Sequence, residues 1–221
     1  MSTKLIIARH GNTFCAGELS RRVGAKTDLP LTEQKRGQSI GLYLRDNHLV
    51  PDAVYAAPLL RTMATAELAI GAMGIQRVIT PLSQFTEIDY GPDENQTDEQ
   101  VLLRLGGGDI ARGEAIIRAW DQRAIVPHGW VVEPQKIIDT WIDFSNNIIL
   151  QKHLNETVLL VSSNGIIRFA PYLTGDFEAF SHLHDIKVAT GGVCIFEKSS
   201  RQNFWSCAAW NIKPYKQFAD L

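Results

Sequence analysis

The segment Lys4-Leu5-Ile6-Ile7-Ala8-Arg9-His10-Gly11-Asn12-Thr13 decides how this chain is read. Its first five residues are mostly apolar. They fit a short strand buried on both faces, as in a parallel sheet covered by helices. The strand ends in three residues of another kind. Arg9 carries a permanent charge on a planar fork of donors. His10 can serve as a nucleophile or as an acid and base near neutral pH. Gly11 lets the backbone turn tightly and lets a ligand come close. Ligands of open α/β sheets bind at the carboxyl ends of strands, where this trio falls. A cation, an imidazole and a glycine in that place suit a phosphate.

At 221 residues the chain has the size of one compact domain, so 1–221 is expected to fold as a unit. A formal net charge of −2 supplies no overall attraction for nucleic acid or membrane, so any anion site must be local. No apolar run reaches the length that spans a bilayer. The first residues enter a strand without the basic and apolar segments of a signal peptide. Cys15, Cys194 and Cys207 show no metal or redox spacing. Reduced thiols and a cytoplasmic location are the expectation.

A loop over 14–28 follows the first motif and holds Arg21, Arg22, Lys26 and Asp28. Loops of that length inside a compact domain are usually functional. Thr32 reads as the N-cap of a helix to about Asn47, with Gly37, Ile40, Gly41 and Leu44 on one face. The two glycines there suggest close packing on the sheet. Asp52–Ala57 reads as a second strand, and Pro58 as the first position of a second helix. Arg77–Thr80 reads as a third strand, followed by the polar loop 86–95. Thr97 with Gln100 forms a capping box for a short helix. Gly106-Gly107-Gly108 follows that helix, which makes it a C-cap and connector, not a phosphate loop.

Helices are expected over Asp109–Arg123 and Pro134–His153. Thr157–Ser162 is a buried strand that runs into Ser163-Asn164-Gly165 and a helix from about Ile166 to Leu173. Such a strand, polar turn and helix start form an anion-ready edge. Val193–Glu197 and Phe204–Trp210 read as two last strands, for which an antiparallel pairing is open. His128 and His153 read as surface residues, and His182 or His184 could fold back toward the strand ends. The alternation predicts an α/β three-layer sandwich with a mainly parallel sheet flanked by helices. The strandless stretch 97–153 becomes a helical excursion over the active edge.

Four segments then bring polar groups to one edge: Arg9-His10-Gly11, Arg61, Glu87, and Ser163-Asn164-Gly165 with Arg168. In this order the chain resembles the histidine phosphatase superfamily, the phosphoglycerate mutase-like proteins. The family's Arg-His-Gly is matched by Arg9-His10-Gly11. Its Ser-x-Leu-x-Arg-x-x-x-Thr-Ala segment is matched by Ala57 through Ala66, with Arg61 as the arginine. Its Glu-x-Asp-Tyr-Gly segment is matched by Glu87-Ile88-Asp89-Tyr90-Gly91. Its Val-Ser-His-Gly-Gly-x-x-Arg segment aligns with Val161 through Arg168.

The resemblance implies a phosphomonoester hydrolase acting on a small phosphorylated molecule through a phosphohistidine intermediate. His10 would attack phosphorus, and Glu87 would protonate the leaving oxygen. Arg9, Arg61, Ser163 and Asn164 would bind the phosphate, with no cofactor and no metal. The chain departs from the pattern where the family's second histidine aligns with Ser163. Asp93-Glu94-Asn95 replaces the phosphatase Trp-Glu-Gly, and Ala57 replaces the serine of the arginine segment. A catalytically impaired member that binds a phosphorylated ligand or a protein partner is the alternative. A phosphoglycerate mutase fits less well, because it must retain its phosphohistidine. Cys15 and Arg21 also match the Cys-x5-Arg spacing of cysteine-dependent phosphatases, but no strand runs into Cys15. The sequence leaves the oligomeric state open.

Overall fold

The computed structural model describes residues 2–218. Along the chain run β1 (Ser2–Arg9), α1 (Lys35–Asp46), β2 (Ala53–Ala56), α2 (Leu60–Met73), β3 (Ile79–Pro81), α3 (Asp98–Gly106), α4 (Ile110–Arg123), α5 (Pro134–Asp143), α6 (Leu150–Lys152), β4 (Thr157–Ser162), α7 (Asn164–Ile167), α8 (Phe177–Leu183), β5 (Val193–Ser199) and β6 (Ser206–Ile212). One sheet orders its strands β3-β2-β4-β1-β5-β6. The first four are parallel, and β5 and β6 close that side antiparallel.

β1 has neighbours on both sides and helices on both faces, which is why Leu5, Ile6, Ile7 and Ala8 are all fully buried. Alternate side chains point to opposite faces of a strand. Ile6 and Ala8 accordingly join Ile40, Leu44, Ala66 and Ala69 of α1 and α2. Leu5 and Ile7 join the aromatic core on the other face, with Trp120, Trp141, Phe85 and Phe144. The structure is the expected α/β sandwich with a mixed six-stranded sheet. Among the described residues no helix is long and apolar enough to cross a membrane.

Several local readings change. Thr32 does not cap α1: its hydroxyl donates to the Asn12 and Phe14 carbonyls, and the helix begins only at Lys35. Gly37 and Gly41 face α2, not the sheet. A Cβ on Gly41 would lie 2.2 Å from the Ala69 carbonyl oxygen, so the two helices meet backbone to backbone. The third strand is shorter and later than expected, because Val78 stands in solvent, and the last strand also starts later. Helix α7 starts at Asn164 and passes into a 3₁₀ segment over Ala170–Thr174, so no single helix spans Ile166–Leu173. Between α5 and α6 the helix widens into a π turn over Phe144–Ile149, where Ser145 accepts the Trp205 indole N–H at 2.6 Å. His153 is not a free surface residue. Its ring bridges the Tyr55 hydroxyl at 2.8 Å and the Glu156 carboxylate at 2.7 Å.

Candidate active site

Arg9 lies opposite Ser162 in the register of β1 and β4, so His10 and Ser163 leave the sheet side by side at its carboxyl edge. The His10 amide donates to the Ser162 carbonyl at 3.1 Å and extends the pairing by one residue. The His10 side chain is buried, with Nδ1 2.7 Å from the Gly11 carbonyl oxygen. A carbonyl only accepts, so Nδ1 carries the proton and the neutral ring keeps its lone pair on Nε2. Burial, then the charges of Arg9 and Arg61, hold the His10 pKa well below the ordinary histidine value. The imidazole is therefore neutral at pH 7. The Gly11 amide in turn donates to Thr65 Oγ1 at 3.0 Å, and the Thr65 hydroxyl donates to the Arg61 carbonyl at 2.7 Å.

The two arginines are held by backbone carbonyls. Arg9 donates from Nη1 to Val188 at 2.6 Å. Arg61 is fully buried and donates to Thr27 at 2.9 Å and Gly24 at 3.2 Å. Its nearest carboxylate contact is Asp28, at 3.9 Å. Glu94 fixes the loop that supplies those carbonyls. Its carboxylate accepts from the Gly24 and Lys26 amides at 3.0 and 3.1 Å and from the Thr27 hydroxyl at 2.7 Å. It also accepts from the Tyr90 amide at 3.2 Å. Gly24 is required here, since a Cβ would lie 2.3 Å from Glu94 Oε2 and 2.6 Å from the Ile88 carbonyl oxygen.

Glu87 is buried on the loop after β3. Its carboxylate accepts from the Ile88 amide at 2.9 Å and the Gly165 amide at 3.2 Å. Burial raises its pKa above the usual carboxylate value, against the two amides and the charges of Arg61 and Arg9. A carboxyl that keeps its proton to higher pH is suited to act as an acid. Gly165 makes the arrangement sterically feasible, because a Cβ there would stand 2.3 Å from Glu87 Oε1. Gly165→Ala should therefore displace the carboxyl and lower turnover by roughly 100-fold, the scale of an ångström-sized misplacement. Steady-state kinetics alongside a circular-dichroism melt will check that the fold survives.

A cleft of about 1610 Å³ opens over this edge and is lined by Arg9, His10, Glu87 and Tyr90. Arg21 and Arg22 from the 14–28 loop, Glu114, Ile117 and Arg118 on one face of α4, and His182 and His184 also line it. Of the excursion, α3 and α4 face the cleft, whereas α5 turns Ile138 and Trp141 into the core. The structure thus brings Arg9, His10 and Glu87 together in one cavity. Arg61, Ser163 and Asn164 lie outside its lining. Asn164 Oδ1 accepts from the Val188 amide at 2.8 Å, the residue whose carbonyl holds Arg9. Ser163 is fully buried, and its Oγ has no hydrogen-bond partner.

His182 and His184 reach the cleft wall. His182 bonds through Nδ1 to the Glu178 carbonyl oxygen at 2.8 Å, and His184 packs on Phe180. Cys15 is exposed and does not line the cleft. Arg168 stacks over Trp120 and donates to its carbonyl at 2.6 Å, with Asp121 at 3.5 Å. Asp89 braces the loop by pairing with Lys26 at 2.8 Å. Residue type and spacing gave Thr65 and Glu94 no place in the site. Thr65 lies within the Ala57–Ala66 segment, whereas three bonds of Glu94 reach back 67 to 70 residues and its near partner is a backbone amide, that of Tyr90, which leaves no local signal.

Residues 5–213 match the family model described as Histidine phosphatase superfamily (branch 1). No curated protein sequence matches the chain. Among solved structures, phosphoserine phosphatase from Entamoeba histolytica is 20% identical with a TM-score of 0.71, over 95% of this chain and 97% of that one. The mycobacterial glucosyl-3-phosphoglycerate phosphatase is 18% identical with a TM-score of 0.70, over 96% and 99%. The Bacillus stearothermophilus protein YhfR is 23% identical with a TM-score of 0.71, over 94% and 96%. These likenesses establish a shared fold. With nearly its whole length inside the family model, this chain belongs to the histidine phosphatase superfamily.

Proposed function

We propose that the protein is a phosphomonoester hydrolase that acts on a small phosphorylated molecule through a phosphohistidine intermediate. The observation that carries this reading is the pairing of His10 and Glu87 in one cleft. His10 is neutral there with Nε2 unprotonated, and Glu87 is a carboxyl biased toward its protonated form. Nε2 of His10 attacks phosphorus in line as the bond to the leaving oxygen breaks, and Glu87 gives that oxygen its proton. The Glu87 carboxylate then takes a proton from water, whose oxygen displaces the phosphoryl group from His10. Neutral His10, protonated Glu87 and free phosphate result.

Arg9 on the cleft wall, with the charge of Arg61 buried close to His10, offsets charge on the phosphoryl oxygens, whereas Ser163 and Asn164 lie outside the cleft lining and are not placed to donate to them. Among the described residues, six buried side-chain nitrogen or oxygen atoms have no partner. Arg9 Nε and Arg61 Nε are two of them. Buried unpaired donors are costly, and charged phosphoryl oxygens are strong acceptors for them. The names of two structural neighbours, phosphoserine phosphatase and glucosyl-3-phosphoglycerate phosphatase, agree with a small substrate.

Trapping the intermediate tests the proposal. An ester labelled on phosphorus and quenched during turnover should leave an acid-labile, base-stable label on the peptide that contains His10. Label on Cys15 or on a serine would overturn it. The placement of Ser163 favours a second reading, an impaired member that binds a phosphorylated ligand or a protein partner, because the residue aligned with the second histidine is sealed from the cleft. Ser163→His separates the two. A working site built around the small side chain has no room for the ring, and overpacking costs about 1–3 kcal/mol. Turnover and melting temperature should both fall. A tenfold rise in turnover would instead favour the impaired member.

A further inference from the structure

We propose that Thr65 is a positioning residue for the nucleophile: its hydroxyl fixes the Gly11 peptide, and through it the tautomer and orientation of His10. The inference rests on the proposed role of His10. Three hydrogen bonds run in sequence from the imidazole to helix α2. His10 Nδ1–H donates to the Gly11 carbonyl at 2.7 Å. The Gly11 amide donates to Thr65 Oγ1 at 3.0 Å. The Thr65 hydroxyl donates to the Arg61 carbonyl at 2.7 Å. Thr65 is fully buried, so no solvent competes for its hydroxyl.

The direction of each bond is set by chemistry. The Gly11 amide can only donate, so Thr65 Oγ1 must offer a lone pair to it. The hydroxyl proton then goes to the Arg61 carbonyl, and the bond back to a carbonyl one turn earlier orients Thr65 on the helix. The hydroxyl therefore has no freedom to rotate away. Gly11 itself is closely packed, since a Cβ on it would lie 3.3 Å from Leu31 Cδ2. The peptide that accepts from His10 is the one that follows Gly11, and Thr65 anchors the same residue from its amide side. Losing that anchor leaves the carbonyl's peptide held only by the 3.4 Å bond from the Asn12 amide to Glu33 Oε1, so the carbonyl can tilt and Nδ1 loses a fixed acceptor. The proton can then move to Nε2, which removes the lone pair that attacks phosphorus. One hydroxyl thus ties the histidine motif to the arginine motif, which lie 51 residues apart from His10 to Arg61 by their numbering.

The test compares Thr65→Val, which keeps the shape and removes the hydroxyl, with Thr65→Ser, which keeps the hydroxyl and removes the methyl. The first readout is the ¹⁵N spectrum of the His10 ring in protein labelled at histidine nitrogen. Wild type and Thr65→Ser should show a protonated Nδ1 and a bare Nε2. Thr65→Val should show a mixture of tautomers. The second readout is the burst rate of phosphoryl transfer to His10, which should fall roughly tenfold in Thr65→Val and recover in Thr65→Ser, with KM little changed. Thr65→Ala replaces the valine variant if the latter does not fold. An unchanged tautomer in the hydroxyl-free variant overturns the inference, and so does a Thr65→Ser protein as impaired as Thr65→Val. A wild type that shows the fixed tautomer but transfers no phosphoryl group to any ester would sink the proposed function and leave the positioning role to stand on the spectrum.

Discussion

Replacing His10 with alanine should lower turnover of every phosphomonoester the wild type accepts, by at least about 10⁴-fold. The effect is expected to be this large because His10 leaves the sheet edge beside Arg9 in the same cavity as Glu87, whereas the other histidines of the cleft wall, His182 and His184, stand on or just after α8. Cys15 is exposed outside the cleft, and Ser163 is sealed beneath it. The alanine protein should also carry no label after an acid-free quench. Its melting behaviour gives a separate check. The native state holds His10 neutral, with a pKa well below the ordinary value, while the unfolded chain takes up a proton near pH 6.5. A depressed pKa of this kind contributes stability that is present above pH 6.5 and declines as the pH falls below it. The wild type should therefore lose stability on acidification faster than the variant, by up to about 1.4 kcal/mol per pH unit for one proton. A residual rate in His10→Ala within tenfold of wild type would remove histidine from the mechanism.

Glu87→Gln should cost about 10² to 10⁴ in rate, and the size should depend on the leaving group. An alkyl ester needs its departing oxygen protonated, so it should show the full loss. An activated aryl phosphate leaves as a stable anion and should be nearly unaffected. The pH profile follows from the same group. Burial raises the Glu87 pKa, so the acid form persists above the usual carboxylate range, and turnover of alkyl esters falls as the pH rises through the raised value. The acid limb comes from protonation of His10, far below 6.5 because its pKa is lowered. Glu87→Gln should abolish the alkaline limb and leave the acid limb in place. Equal losses on alkyl and aryl esters would reduce Glu87 to a structural partner of Ile88 and Gly165.

The mainly parallel sheet and its polar edge were legible because they depend on short, dense signals. Four consecutive apolar residues in β1 and the apolar run of β4 require cover on both faces, and each strand then delivers its motif to the same edge. His10 stood out by its type at a strand end, the resemblance to the family pointed to Glu87, and the two do share the cleft. The surroundings of Arg61 could not. Its partners are carbonyls, which every residue possesses, and their direction depends on how residues 23–28 fold. Thr32 shows the opposite failure, since a residue with good capping chemistry found carbonyls of an adjacent loop instead. Helix α8 was missed although Asp176 caps it, accepting from the Ala179 amide at 2.9 Å, because seven residues are too few to show a clear apolar stripe.

The 14–28 loop is two segments with different freedom to evolve. Residues 15–20 are exposed, and the hydrogen bonds between Cys15 and Glu18 there are local. Residues 23–28 give carbonyls to a buried cation and donors to Glu94. An insertion in the second segment would strand the Arg61 charge in the interior, whereas one in the first would only reshape the rim of the cleft. Diversification of this loop by changes of length is thereby confined to the stretch before Arg22. The half that touches Arg61 is left to vary, if at all, by substitution of side chains.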